Sequence, residues 1–571
     1  MIDFKMTKLN KKILTLFFIL AIFLLAVGVW YSPIIFKGYS FQPISQDMLL
    51  AKNYQESGVF ATQNNQSVVV SSDLTKDNSY QLPISKYLGS VIFAKIFSVI
   101  GVPGYNLLVL LSIVLYAIVL VIFTILTKQL FGLKIAAIFS LIYIFSPLGW
   151  GLSYDLSGYG FCLLFLGIFL ILYFSGIKDK DNKNSIINIL FLIFSGIFLG
   201  LSALSKEITL VFALAFFIFL VIKKLKKQFS YVFIPFAVLL IIFWLPSFLG
   251  GGNRYLSLIT GHTTKANTAL AELHLFPDAY TYYFEKDSFL KEFQSQDLGM
   301  SENIETKKVL ANYGFGKITI FERGKVGVYA LSQHLFRFVS LQEFGGPFIL
   351  LLSILGLVYL KKKNKFLYNL SACWVVISIF VFSFVILVSR NHLMDFIWPI
   401  TLMVSLGVFY LLQIVKEHFK LNKTILIDII IVVLILYHLF LVNRVVLGTA
   451  YDSESVPRIL AYSREIDKIN VKNDQVIAIP GDIPGQDSSL AYLTGKSFVI
   501  FRPETLEKLL KENKIETALD SFGVKYILGY PDSLSNEITN KTKTINIASD
   551  SLNIEIEKTS ETKSFLMNLF R

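Results

Sequence analysis

Apolar runs long enough to cross a lipid bilayer recur along most of this 571-residue chain, and no other feature limits its fold so strongly. They occur at about 13–36, 104–127, 133–152, 156–175, 186–204, 208–222, 229–249, 347–360, 366–388, 393–415 and 424–445, with those at 208–222 and 347–360 on the short side. A backbone inside hydrocarbon must satisfy its own hydrogen bonds, so runs of this length read as helices. The expected fold class is a polytopic α-helical membrane protein with eleven spans. Hydrophobic residues make up 54% of the chain, too many for a string of soluble domains. A twelfth apolar stretch, 84–101, holds Lys86 and Lys95 and reads as an interfacial amphipathic helix.

The formal charge of +13 invites a nucleic-acid reading, but the placement of the charge argues against it. Twenty lysines fall in the segments 5–12, 128–134, 178–183, 223–227, 361–365 and 416–423, which alternate with the spans so as to share one side. The short connections of the other side hold only Lys206 and Arg390. By the positive-inside rule the N-terminus is cytoplasmic and eleven crossings leave the C-terminus outside, in a cell membrane. Everything long is then exoplasmic: loops 37–103 and 250–346 and the tail 446–571. The expected partners are membrane lipids and not nucleic acid.

Residues 1–445 read as one transmembrane domain and 446–571 as an exoplasmic α/β domain. In that tail 474–480, 497–501, 524–530, 544–549 and 552–558 look like strands, and 457–469, 485–493 and 504–519 look helical. The PGDIPG turn lacks the glycine spacing of a nucleotide-binding loop. Cys162 and Cys373 both lie in spans, so the external regions hold no disulfide. The first span ends in AVG, a faint match to a cleavage site, but the apolar run continues and reads as an uncleaved anchor.

One acid stands out. In ISQDMLLAKNY (44–54), a helix starting near Ser45 puts Asp47 on the side of Ile44, Leu50, Ala51 and Tyr54, with Lys52 and Glu56 opposite. A carboxylate on an apolar face needs a partner or a task, unless it only supports the first turn behind an N-cap at Ser45. Both readings stay open on the local sequence. Asp155 is either a working acid or the N-cap of the span that follows it, and Lys206 either a working cation or a snorkelling lysine paired with Glu207. Arg254, Arg337 and Arg390 read first as interfacial anchors. His262 and His274 flank Glu272 without a zinc-binding spacing, and Asp395 and Asp428 lie near span ends where water reaches them.

Taken in order, the chain shows a first span, the external Asp47 followed by Ala51 and Gly58, and LPISKYLGSVIFAKIFSVIG before the second span. Then come Phe131-Gly132, a span ending in Ser146-Pro147, SYDLSGYGFCLLFLGIF (153–169), and GIFLGLSALSKEITL (196–210), in which Gly196, Gly200 and Lys206 follow a fixed spacing. This succession resembles the membrane glycosyltransferases of the GT-C superfamily, in the branch of the protein O-mannosyltransferases and lipid A aminoarabinose transferases. The resemblance implies a GT-C-like fold and transfer of a sugar from a polyprenyl-phosphate donor to a glycan, lipid or protein acceptor on the outer face, with inversion. It implies that Asp47 is the catalytic carboxylate, that Asp155 matches a second family acid, and that Lys206 matches the lysine after the G-x-x-x-G span. Lys86, Arg254 and Arg390 are then donor-phosphate cations, and Tyr87 and Glu207 supporting residues. A divalent cation, Mg²⁺ or Mn²⁺, held by Asp47 and Asp155 is the one cofactor it leaves room for.

The chain departs from both branches at two places. Met48 follows Asp47 where the mannosyltransferases carry a second acid, and Leu82 precedes Pro83 where the aminoarabinose transferases carry lysine, although Tyr87 keeps the P-x-x-x-Y spacing. Other readings of the same chain are an O-antigen-type ligase or polymerase, a lipid-linked-glycan transporter, and an inactive membrane scaffold. A transporter predicts internal repeats, and none is evident.

Overall fold

The computed structural model describes residues 51–52, 65–67, 81–83, 88–101, 105–144, 156–177, 186–206, 208–249, 328, 331–332, 346–384, 396–419, 455–469, 475–480, 486–501, 524–528 and 543–545. The chain is a polytopic α-helical membrane protein, and six of the described helices are long and apolar enough to cross a membrane. It divides into two compact units. One comprises Met1–Pro33, Gly104–Ile241 and Gly327–Gly448, the other Ile34–Pro103, Ile242–Val326 and Thr449–Arg571.

The first unit is a helical bundle of α2 (Tyr105–Phe131), α3 (Leu133–Ile144), α4 (Phe161–Ile177), α5 (Ile186–Ser205), α6 (Thr209–Ile222), α7 (Lys226–Leu249, as far as Ile241), α8 (Gly346–Lys363), α9 (Lys365–Phe384) and α10 (Ile397–Phe419). These correspond to nine of the eleven expected spans; the runs at 13–36 and 424–445 lie outside the described residues. The span expected at 133–152 is described only as the 12-residue α3. Helix α6, at 14 residues, is as short as its sequence implied.

Apolar side chains alone cannot hold helices together in lipid, where the surroundings are equally apolar, so close backbone approach and polar contacts matter more. Helices α8 and α10 show this. Gly356 faces Gly407, and a Cβ built on either would run into backbone, the Met403 carbonyl for Gly356 and the Leu352 carbonyl for Gly407. Tyr359 lies 5.6 Å from Tyr410 by ring centroids three residues further along each helix, so the two helices run in the same direction. Ile138 and Ile142 of α3 close this pair into a buried cluster with Ile349, Leu352, Val404 and Val408.

At one set of helix ends, contacts bring several elements together. Gln129 Nε2 donates to Ser175 Oγ at 3.0 Å, joining the last turns of α2 and α4. The Tyr173 hydroxyl donates to Gln228 Oε1 at 2.8 Å, joining α4 to the first turn of α7. Phe366 at the start of α9 meets Phe219 near the end of α6 edge-on at 4.8 Å. The lysine-rich turns at 128–134, 223–227 and 361–365 therefore belong to one end of the bundle, as their alternation in sequence implied. Lys206 joins α5 to α6 at their other ends.

In the second unit, β1 (Asn65–Ser67) pairs antiparallel with β2 (Gln81–Pro83). Helix α1 (Leu88–Ile100) buries Phe93, Ala94 and Phe97 and exposes Lys95 and Val99, the two-sided pattern expected of the 84–101 stretch. The tail alternates α11 (Ser455–Asp467), β3 (Val476–Pro480), α12 (Gln486–Thr494), β4 (Ser497–Phe501), β5 (Val524–Leu528) and β6 (Lys543–Ile545). Its sheet is parallel in the order β4-β3-β5-β6. Ile477, Ala478, Ile479, Phe498, Ile527 and Leu528 are buried, which is why these strands read as continuous apolar runs. The expected strand 552–558 and helix 504–519 lie outside the described residues.

Candidate functional site

Lys206 is the one expected site residue that falls among the described residues. Three features of the local sequence hold it. Helix α5 ends at Ser205, and the Lys206 amide still donates to the Ser202 carbonyl at 3.1 Å. The Lys206 carbonyl then accepts from the Thr209 amide at 3.2 Å, so the chain turns tightly into α6. Gly196 and Gly200, which precede the end of α5 by about two and a half and one and a half turns, let α5 approach α7: a Cβ at Gly196 would strike the Val232 carbonyl.

Beneath this turn lies a small polar cluster between three helices. Ser202 Oγ donates to the Cys162 carbonyl at 2.8 Å. Cys162 Sγ and Thr209 Oγ1 share a contact of 2.8 Å, and Ser202 Oγ reaches Thr209 Oγ1 at 3.3 Å. All three side chains are fully buried, where an unpaired polar group would be costly, so the cluster locks the first turn of α4 against the α5–α6 link.

Directly before α4, residues Leu156–Gly160 form a π-helical turn. A wide turn of this kind re-aims the side chains it carries and is frequent at functional positions. Here it carries Tyr159, only 2% exposed, and sets the Lys206 ammonium 4.8 Å from the centre of its ring. The ring face attracts the cation through its quadrupole. The buried ring thus holds a half-buried lysine at the end of the bundle opposite the lysine-rich turns.

Tyr159 is absent from the residues singled out in the sequence. It lies within the quoted SYDLSGYG stretch, four positions after Asp155, but nothing in the spacing distinguishes a ring that supports a cation from one that only fills space.

The other expected site residues, Asp47, Lys86, Tyr87, Asp155, Glu207, Arg254 and Arg390, lie outside the described residues, as do Arg337, His262, His274, Asp395 and Asp428. The helix expected around Asp47 is described at Ala51 and Lys52. Ala51, one turn after Asp47 on the same expected face, is fully buried. Lys52, expected on the opposite face, brings its Nζ to 3.9 Å from where a Cβ on Gly495 would sit, at the α12–β4 turn. Gly495 occupies the left-handed region at φ +68° and closes α12, its amide donating to the Ala491 carbonyl at 2.9 Å. Among the described residues no three His, Cys, Asp or Glu side chains gather as metal ligands.

No family model and no curated protein matches the chain in sequence. Solved structures align with most of the chain at low sequence identity. The archaeal oligosaccharyltransferase AglB from Archaeoglobus fulgidus, in complex with an inhibitory peptide and a dolichol-phosphate, superposes with a TM-score of 0.49 at 12% identity, over 89% of this chain and 69% of that one. The same enzyme in complex with Zn and sulfate gives a TM-score of 0.49 at 14% identity, over 88% and 67%. ArnT from Cupriavidus metallidurans bound to undecaprenyl phosphate gives 0.38 at 10% identity, over 93% and 89%.

Proposed function

We propose that this chain transfers a sugar from a polyprenyl-phosphate donor to an acceptor hydroxyl on a glycan, lipid or protein at the outer face of the cell membrane. The observation that carries the reading is Lys206, an ammonium fixed over Tyr159 at the bundle end opposite the lysine-rich turns. A donor of this kind needs no nucleotide pocket. Its sugar–phosphate bond breaks at the anomeric carbon, and the bonding pair leaves with the phosphate. The leaving group is a stable anion, so it needs charge neutralisation more than protonation. In this reading Lys206 supplies that charge, together with Lys86, Arg254 and Arg390.

The acceptor oxygen must lose its proton as it forms the new bond, and Asp47 is the base assigned to it. Attack from the face opposite the phosphate inverts the anomeric centre in one step. Asp155, with Tyr87 and Glu207, supports the site. Asp47 and Asp155 are hard oxygen ligands suited to Mg²⁺ or Mn²⁺, which would supply further neutralisation of the phosphate when bound. In this reading the N-terminus is cytoplasmic and the tail domain exoplasmic.

The test is transfer of labelled sugar from a short-chain polyprenyl-phosphate donor by purified protein. Asp47→Asn should lower turnover roughly 100- to 10,000-fold without changing thermal unfolding. Transfer at the wild-type rate would remove Asp47 from the mechanism. Glycolipid and glycan profiling of a deletion strain identifies the sugar and acceptor.

A further inference from the structure

The α8–α9 turn has a composition that the transfer reaction does not use. Lys361, Lys362 and Lys363 close α8, Asn364 caps the turn by accepting from the Leu367 amide at 3.0 Å, and Lys365 opens α9. Neither helix contains an acid, so four positive charges stand together with no counter-charge on their own elements. Three of them are placed by tyrosines. Lys362 Nζ donates to the Tyr410 hydroxyl at 3.2 Å and lies 5.3 Å from the centre of that ring. Lys361 lies 5.8 Å from the Tyr368 ring and Lys363 6.0 Å from the Tyr359 ring. Loose surface lysines sweep out a large volume, whereas these three are fanned around one turn with their stems already ordered.

An apolar strip starts where the charges stop. Leu357 and Val358 precede Lys361 and Lys362 by four residues, one helical turn, and so lie directly beneath them on the same faces of α8. Both are exposed, and Ile354 and Leu351 continue the strip further down the helix. A free phosphate would use only the lysines. A ligand with a phosphate head and hydrocarbon tails would use both, and this geometry points to such a ligand.

We infer that the α8–α9 turn is a binding site for the headgroup of an anionic phospholipid, whose phosphodiester sits among Lys361, Lys362 and Lys363 and whose acyl chains lie along Leu357, Val358 and Ile354. The site is independent of the proposed transfer reaction and lies at the other end of the bundle from Lys206.

The experiment uses the full-length protein in detergent, titrated with phosphatidylglycerol or phosphatidylcholine, with bound lipid counted by native mass spectrometry. Wild-type protein should retain one phosphatidylglycerol to higher collision energy than any phosphatidylcholine. The triple variant K361Q/K362Q/K363Q should bind phosphatidylglycerol about 100-fold more weakly. The variant K223Q/K224Q/K226Q removes as much charge from the α6–α7 turn and should leave that retained lipid in place. Tyr410→Phe, which removes the hydroxyl that accepts from Lys362 and leaves the charge unchanged, should weaken binding several-fold. Equal loss in the two triple variants would reduce the effect to diffuse charge and overturn the site. So would equal retention of both lipids by wild-type protein, or displacement of the lipid by millimolar inorganic phosphate.

Discussion

The Lys206 ammonium stands 4.8 Å from the centre of the Tyr159 ring, across the junction between the α5–α6 turn and the π-helical turn that opens α4. The contact depends on the ring and not on the phenol oxygen. Tyr159→Phe should therefore leave the apparent donor KM within about 2-fold of wild type, and Tyr159→Leu should raise it roughly 2- to 30-fold through the loss of ~0.5–2 kcal/mol. Initial-rate measurements over a range of donor concentrations check both.

In the proposed reaction, Lys206→Ala removes a charge that neutralises the donor phosphate. The expected result is a rise of roughly 10- to 100-fold in donor KM, as for loss of a charge-assisted hydrogen bond, with partial recovery in Lys206→Arg. A purely structural lysine would instead lower thermal stability and leave KM alone.

Helices α8 and α10 touch backbone to backbone at Gly356 and Gly407. Gly356→Ala should force them apart and cost about 1–3 kcal/mol, seen as a lower unfolding midpoint in detergent. Gly356→Ala combined with Gly407→Ala should cost less than the sum of the two single changes, since one displacement accommodates both methyl groups.

Two neighbouring tyrosines should behave oppositely. The Tyr116 hydroxyl donates to the Tyr143 carbonyl at 2.9 Å, so Tyr116→Phe should cost about 1 kcal/mol. The Tyr143 hydroxyl is buried with no hydrogen-bond partner among the described residues, so Tyr143→Phe should be neutral or stabilising. Thermal unfolding of the two variants side by side checks the contrast.

The cluster beneath Lys206 gives a further test. Ser202→Ala removes the hydroxyl that donates to the Cys162 carbonyl and should destabilise by about 1 kcal/mol in the same assay.

Much of the bundle was legible because hydrocarbon imposes a simple rule on sequence: each stretch such as Phe161–Ile177 must be long, apolar and helical, and its ends must carry the charge. The shared end of the lysine turns followed from alternation alone. Tail strands were legible where both faces are buried, as at Val476–Pro480, since burial leaves an unbroken apolar run. Pairings between helices were not. The contact of Gly356 with Gly407 joins positions 51 residues apart, and one glycine in an apolar helix resembles any other until its partner is known. Tyr159 escaped for a related reason: its meaning lies in the ammonium above it, which the chain delivers from a different helix pair.

Parallel helices fused through bare peptide units cannot slide or roll against each other, because each glycine is the other's stop. Any opening of the bundle must then carry α8 and α10 as a single plank, and the give must come from seams that are lined by side chains.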